Sequence, residues 1–209
     1  MRGKLEGILD GVYPPDETHI APVLEETYLL ERLVEDLRLL TLAESRQIHF
    51  ERKDVDLDAL VGRLIPLFEA QASEKDIRLQ ARTTPGLPTV VADPQRLEQV
   101  IGNLLSNALR HVPEGGEIIL STAASASAVC VLVSDNGPGV PEADIPRLFE
   151  RFWRGDKSRS RSSGGAGLGL AIAKQLVEAQ GGTIQARNRP QGGLEVLCEF
   201  PANEASPEG

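Results

Sequence analysis

The stretch Val131-Leu132-Val133-Ser134-Asp135-Asn136-Gly137-Pro138-Gly139-Val140 carries the reading from which the rest follows. Its apolar first half is a buried strand. The strand ends in a carboxylate, and an Asn-Gly-Pro-Gly turn comes next. Glycines take positive φ and let a backbone approach a flat ligand closely. An ionised carboxylate accepts a hydrogen bond from an exocyclic amine; adenine offers one where guanine offers a carbonyl. Taken singly, the same residues also make an ordinary strand-to-turn Asp-Asn-Gly.

Upstream stands Asn103-Leu104-Leu105-Ser106-Asn107-Ala108-Leu109-Arg110-His111. Asn103 and Asn107 are four apart and stack on one helix face. Leu104, Leu105, Ala108 and Leu109 form the buried side. Carboxamide oxygens are hard ligands of the kind magnesium accepts, and Arg110 beside them is suited to phosphate. Alone, the pair also reads as two capping or exposed asparagines. Downstream, Gly164-Gly165-Ala166-Gly167-Leu168-Gly169-Leu170 opens a helix and offers free backbone N–H groups to an anion. Its alternating Gly165, Gly167 and Gly169 differ from a Gly-x-Gly-x-x-Gly fingerprint, and no Lys-Ser/Thr follows as in a P-loop. Directly before it, Arg151, Arg154, Lys157, Arg159 and Arg161 accompany a single acid, Asp156. By itself this run is a solvated loop. Beside the glycines it reads as a lid whose arginines reach terminal phosphates.

The surrounding elements are legible from period and punctuation. A short amphipathic helix, Lys4 to Val12, stops at Tyr13-Pro14-Pro15-Asp16. Asp16 or Thr18 caps a second helix running to about Ala43. Along it Val23, Thr27, Leu30, Val34, Leu37 and Thr41 make a stripe that Ile20, Leu24, Leu33 and Leu40 widen, a face broad enough for a helical bundle. A short strand is expected over Ile48–Arg52, and a helix with a kink at Pro66 from Asp56 to Ser73. Strands follow at Ile77–Thr83 and Thr89–Ala92. Asp93-Pro94 opens a helix to about His111. A hairpin is expected from Glu117–Ala123 and Ala128–Ser134, then a short helix near Glu142–Phe149. Leu168–Gln180 is helical, and Thr183–Arg189 pairs with Leu194–Phe200. Helices interleaved with hairpins predict an α+β fold, one sheet with helices packed on one face.

The order and spacing of these motifs resemble the catalytic domain of sensor histidine kinases, in the superfamily shared with DNA gyrase, Hsp90 and MutL. The resemblance covers residues 45–201 and, less strongly, 1–44. Asn103–His111 is similar to that family's N box, Asp135–Gly139 to its G1 box, Phe149–Arg154 to its F box and Gly165–Leu170 to its G2 box. The resemblance implies a two-layer α/β sandwich of the Bergerat type that binds ATP with magnesium. By that likeness Asn107, helped by Asn103, holds the ion, and Arg110 and Arg154 meet phosphates. His111 packs near the adenine or its phosphates, and Asp135 binds the adenine amine. Gly137, Gly139, Val140, Gly165, Gly167, Leu168, Gly169 and Leu170 complete the nucleotide contacts. Phe149 and Phe152 anchor the lid in the core, and Trp153 is a partly exposed lid residue. Asn103, Arg110 and Arg154 are the residues expected to act on the transferring phosphate.

The family's acceptor histidine sits in a His-Glu-Leu-Arg-Thr-Pro-like box on the first helix of a dimerising hairpin. Residues 2–12 resemble the end of that helix and 17–44 the second, so the box would precede Met1. His19, His49 and His111 lack its flanks. The expected organisation is a partial hairpin over 1–45, a catalytic ATP-binding domain over 46–201 and a flexible tail over 202–209. Such a chain binds Mg-ATP and donates the γ-phosphate to a separate acceptor for relay to a response-regulator receiver domain. It does not phosphorylate itself. The hairpin is a candidate homodimer contact. An anti-sigma-type serine kinase and a scaffold that has lost its kinase activity are the competing readings; the hairpin speaks against the first and the intact motif set against the second.

Composition agrees. A net charge of −9 argues against a nucleic-acid partner. Apolar residues make up 41% and charged residues 25%, an ordinary soluble balance. No apolar run nears the roughly 20 residues that span a bilayer, and the N-terminal sequence is no signal peptide. A cytoplasmic location is expected, with any membrane attachment lying in a longer parent. Cys130 and Cys198 stand in Val/Leu-rich stretches with no Cys-x-x-Cys. Both read as core thiols rather than zinc ligands.

Overall fold

The computed structural model describes residues 2–45, 47–125, 127–155 and 166–203. Helices α1 (Arg2–Leu9) and α2 (Glu17–Glu44) form a hairpin. There follow β1 (Lys53–Val55), α3 (Leu57–Ser73), β2 (Arg78–Arg82), β3 (Val90–Ala92) and α4 (Pro94–His111). Then come β4 (Glu117–Ala124), β5 (Ala128–Asp135), a 3-10 turn (Glu142–Arg147), α5 (Gly169–Ala179), β6 (Thr183–Asn188) and β7 (Leu194–Pro201). The main sheet runs β2-β4-β5-β7-β6, and α3, α4 and α5 pack on one of its faces. This is the expected two-layer α+β arrangement.

Local chemistry sets the elements. Asp56 caps α3, accepting from the Asp58 and Ala59 N–H groups, and Asp93 does the same for α4 at Gln95 and Arg96. α3 continues through Pro66 to Ser73. Leu60, Val61, Leu104, Leu105, Ile118, Leu120, Ile172 and Leu176 lie at the layer interface, all essentially inaccessible to water. A fully buried aliphatic side chain of this kind contributes about 1.5–3 kcal/mol.

Several features differ from the expected pattern. β2 pairs with β4 in parallel, Arg78 opposite Glu117. The crossover through β3 and α4 that makes this possible is invisible to a residue-by-residue period. A second, two-stranded sheet joins β1 to β3, and pairing starts at Lys53 rather than at Ile48. The Glu51 N–H is instead bound by the Asp93 carboxylate at 3.0 Å. The segment after the final strand begins anchored, with Asn203 donating to Asp54 at 2.7 Å and to the Thr89 carbonyl at 2.9 Å. The expected helix near Glu142 is a 3-10 turn carrying Pro146. Cys198 is buried, and burial pushes its thiol up to about 12. Cys130, expected in the core as well, is half-buried, because its neighbour Val131 takes the helix-covered side.

The hairpin packs on the rest. Asp16 caps α2, and its carboxylate also meets His19 Nδ1 at 2.7 Å while Tyr13 stacks on the His19 ring. Leu39, Leu40 and Ala43 of α2 are buried, Leu33 joins the core and α2 lies against α5. Ile20, Leu24, Leu30, Val34 and Leu37 remain exposed. At 100° per residue the exposed set and the buried set occupy different sides of the helix. The single wide stripe of the sequence is therefore two faces over the later turns of α2, while Val23, on the side of Leu30 and Val34, is buried. Among the described residues, no helix is long and apolar enough to cross a membrane.

Candidate nucleotide-binding site

A cavity of about 570 Å³ opens between α4, the end of β5 and the start of α5. The Asp93 cap fixes the rotation of α4, so that Leu97, Ile101, Leu104 and Leu105 enter the core. Asn103, Asn107, Arg110 and His111 face the cavity, with Ser106 between them. Asn103 is only 8% exposed, and its Nδ2 is the one buried side-chain polar atom without a partner among the described residues. Its carboxamide lies against Gly169, at the first turn of α5.

Asp135 closes the opposite end. Its Oδ1 accepts from the N–H of Gly137 at 2.8 Å and of Leu194 at 3.1 Å. Arg189 donates to its carbonyl oxygen at 2.7 Å. One carboxylate oxygen is thus fixed and the other is left for the cavity. Burial raises the Asp135 carboxyl above its usual range, against the pull of those two N–H groups and Arg189. Gly139 and Val140 line the wall beyond it. Gly137 stands behind the carboxylate rather than on the wall. Asn188 holds Val140 by both backbone groups: it accepts from the N–H at 3.0 Å and donates to the carbonyl at 2.7 Å. Its Nδ2 also reaches Glu142 at 2.8 Å. At Gly139 (φ +65°) an added Cβ would lie 2.7 Å from Asn188 Oδ1, which explains the glycine.

Gly167, Leu168, Gly169 and Leu170 form the third wall, with Trp153 and Arg154 beside them. The Phe152 N–H donates to the Gly167 carbonyl at 2.9 Å and ties the two ends of the intervening loop together. Phe149 packs against the core, as expected. Phe152 does not: it takes the left-handed region at φ 60° and its ring is 60% exposed, so its backbone rather than its side chain is the anchor. Gly164, Gly165, Lys157, Arg159 and Arg161 lie outside the described residues.

Sequence reasoning missed two contributors. One is the β6–β7 turn, whose Asn188, Arg189 and Leu194 hold the Asp135–Val140 loop. Its signal was the Gly192-Gly193 pair, both at positive φ; a Cβ on Gly193 would fall 1.9 Å from the Asp135 carbonyl. The other is α2, which brings Leu29, Arg32, Leu33 and Asp36 to the cavity. The site is electropositive at one end. Burial, then Arg32 and Arg154, lower the Arg110 pKa. Burial, then Arg110, lower that of His111 and favour its neutral imidazole.

A deep polar-apolar cleft with a backbone-tethered carboxylate at one end and cations at the other is that of a purine-nucleotide-binding ATPase fold. The family described as "Histidine kinase-, DNA gyrase B-, and HSP90-like ATPase" matches residues 92–204. The signal transduction histidine-protein kinase BaeS of Escherichia coli (strain K12) is 36% identical over 201 residues, 96% of this chain and 43% of that protein. The solved histidine kinase AdeS of Acinetobacter baumannii superposes with a TM-score of 0.81 at 30% identity, covering 97% of this chain and 93% of that one. Full-length ShkA, solved in complex with AMPPNP, superposes at 0.80 with 29% identity over 98% of this chain and 43% of that one. The chain belongs to this family, as the ATP-binding catalytic domain of a sensor histidine kinase. It spans less than half the length of the curated relatives it matches.

Proposed function

We propose that this domain binds Mg-ATP and donates the γ-phosphate to a histidine on a dimerisation helix, from which a response-regulator receiver domain takes it. The observation that carries the reading is the polarity of one cavity: a tethered carboxylate at one end, a buried orphan amide and the cavity-lining Arg110 at the other.

Asp135 accepts from the adenine amine through the oxygen its backbone tethers leave open. The wall of Gly139, Val140 and Leu170 receives the ring. Asn107 is the magnesium ligand. The donor set suits the ion, since a carboxamide oxygen is hard and magnesium keeps several waters. The unpartnered Asn103 Nδ2 is a donor and serves a phosphate oxygen, which leaves the Asn103 Oδ1 to help Asn107 at the ion. Magnesium, when bound, neutralises phosphate charge. Arg110 and Arg154 stabilise the transferring phosphoryl group, for which positioning and electrostatics supply most of the catalysis. His111, kept neutral, packs beside the phosphates without adding a charge.

The domain boundaries 1–45, 46–201 and 202–209, a homodimer through α2 and a cytoplasmic setting belong to the same proposal. None of the three histidines suits the acceptor role. His19 is paired with Asp16, His49 precedes β1 and His111 lines the cavity. In this proposal the acceptor lies outside these 209 residues, so the transfer test supplies it on an added hairpin. Two measurements test this. Calorimetry should show Mg-ADP binding, and silence at millimolar ligand would end the ATP reading for this chain. Labelled ATP should then phosphorylate an added hairpin that carries the acceptor box; a folded cognate hairpin left unlabelled would rule out phosphotransfer.

A further inference from the structure

One cation reaches the cavity from outside every motif-bearing segment. Arg32 stands on α2, which Leu33, Leu39 and Leu40 hold against the ATP-binding domain. Arg32 and Asp36, one turn apart, line the same cavity as Asn103, Asn107 and Arg110. We propose that Arg32 binds the polyphosphate of the nucleotide from the hairpin side, so that the ATP site is composite, with one wall supplied by α2. The proposal rests on the ATP reading above and extends it to a residue outside the catalytic domain.

The charge balance favours an anion here. Neither Arg32 nor Arg110 forms an ion pair with a carboxylate among the described residues. Their charges bear on each other, and both bear on a region that already holds the orphan Asn103 donor. Two like charges beside a buried unpaired donor are costly unless an acceptor-rich group completes them. Asp36, one turn from Arg32, shares the cavity lining with Asp135 and Asp144. Burial raises the Asp36 carboxyl against the pull of Arg32, yet among the described residues no carboxylate supplies Arg32 with an ion-pair partner. A polyphosphate does, and a guanidinium matches its geometry.

The position along the nucleotide follows from the neighbours. Arg32 acts on Arg110, at the Asn103–Asn107 end. The charged groups that act on Asp135 are Arg189 and His111. Arg32 therefore faces phosphate and not adenine. Linkage then requires reciprocity: nucleotide holds α2 on the domain by the same factor by which docked α2 tightens nucleotide.

Calorimetry on the whole chain tests this with Mg-AMPPNP, Mg-ADP and AMP. Arg32→Ala should weaken the two polyphosphates about tenfold and AMP less than about twofold, in keeping with one lost charged hydrogen bond. Arg32→Lys should recover part of the loss. Arg38→Ala removes an equal charge from an exposed residue paired with Glu35 and should change none of the three. Hydrogen exchange adds a second readout: Mg-ADP should slow exchange in α2 around residues 29–36 in the wild type but not in Arg32→Ala. The proposal is overturned if the wild type binds Mg-ADP and Arg32→Ala leaves all three ligands unchanged or weakens them equally. It is also overturned if α2 gains no protection from nucleotide. A wild type that binds no nucleotide would instead remove the ATP reading itself.

Discussion

Asp135 is a buried carboxylate, 7% exposed, with one oxygen engaged by two backbone donors. Asp135→Asn keeps the shape but removes the charge from the adenine contact. Mg-ADP affinity should fall about tenfold to a hundredfold, the range of a charged hydrogen bond, with calorimetry as the check. Because burial raises its carboxyl, protonation begins at a higher pH than for an exposed aspartate. A nucleotide bound to the ionised form lowers that pKa again. Affinity should therefore decline as pH falls through the raised value, and binding should release protons. His111 gives the complementary signal. Its folded pKa lies below the ordinary value of about 6.5. As pH drops below that value the unfolded chain takes up a proton that the folded chain refuses, so stability is lost toward the folded pKa. Melting temperature against pH should fall through this window, and His111→Gln should flatten it. Asn103, Asn107, Arg110 and Asp135 were legible because each sits in a local pattern of fixed spacing. Arg32 and Asn188 were not, because the groups they act on are 46 to 78 positions away and no period marks them.

At the scale of elements, the β6–β7 turn sets the shape of the Asp135–Val140 loop. Asn188 forms two bonds to the Val140 backbone and one to Glu142. Asn188→Ala should cost about 3 kcal/mol at roughly 1 kcal/mol per net hydrogen bond. It should also weaken Mg-ADP severalfold while leaving inorganic triphosphate inhibition of binding unchanged. An equal loss for both ligands would mean that the turn supports the whole fold rather than the adenine wall. Helix identities were readable from period and caps: Asp93 caps α4, and Asp16, one of two candidates, caps α2. Strand pairing was less so. β2 beside β4 in parallel, and β1 claimed by β3, depend on which distant edge is free. Period two fixes the face of a strand and not its neighbour. Phe152 shows the same limit: an aromatic reads as core, yet here its main chain makes the contact with Gly167.

For the molecule as a whole, α2 leaves Ile20, Leu24, Leu30, Val34 and Leu37 in water on the side away from the ATP-binding domain. An apolar strip of this length on one helix suits a second copy of the hairpin. The chain should sediment as a dimer at tens of micromolar, on the order of typical assay concentrations for modest interfaces. Val34→Glu with Leu37→Glu should shift it to monomer and leave Mg-ADP affinity within about twofold; a monomeric wild type would count against the dimer. The opposite side of the same helix, carrying Leu29, Leu33 and Asp36, is a wall of the cavity. α2 is thus a shaft with two cams cut into it. One residue of register corresponds to about 100° of rotation, enough to carry one cam out of contact and bring the other round. A twist delivered anywhere along the rod should turn the apolar strip and the fuel-chamber wall together, with no relay of intermediate parts between them.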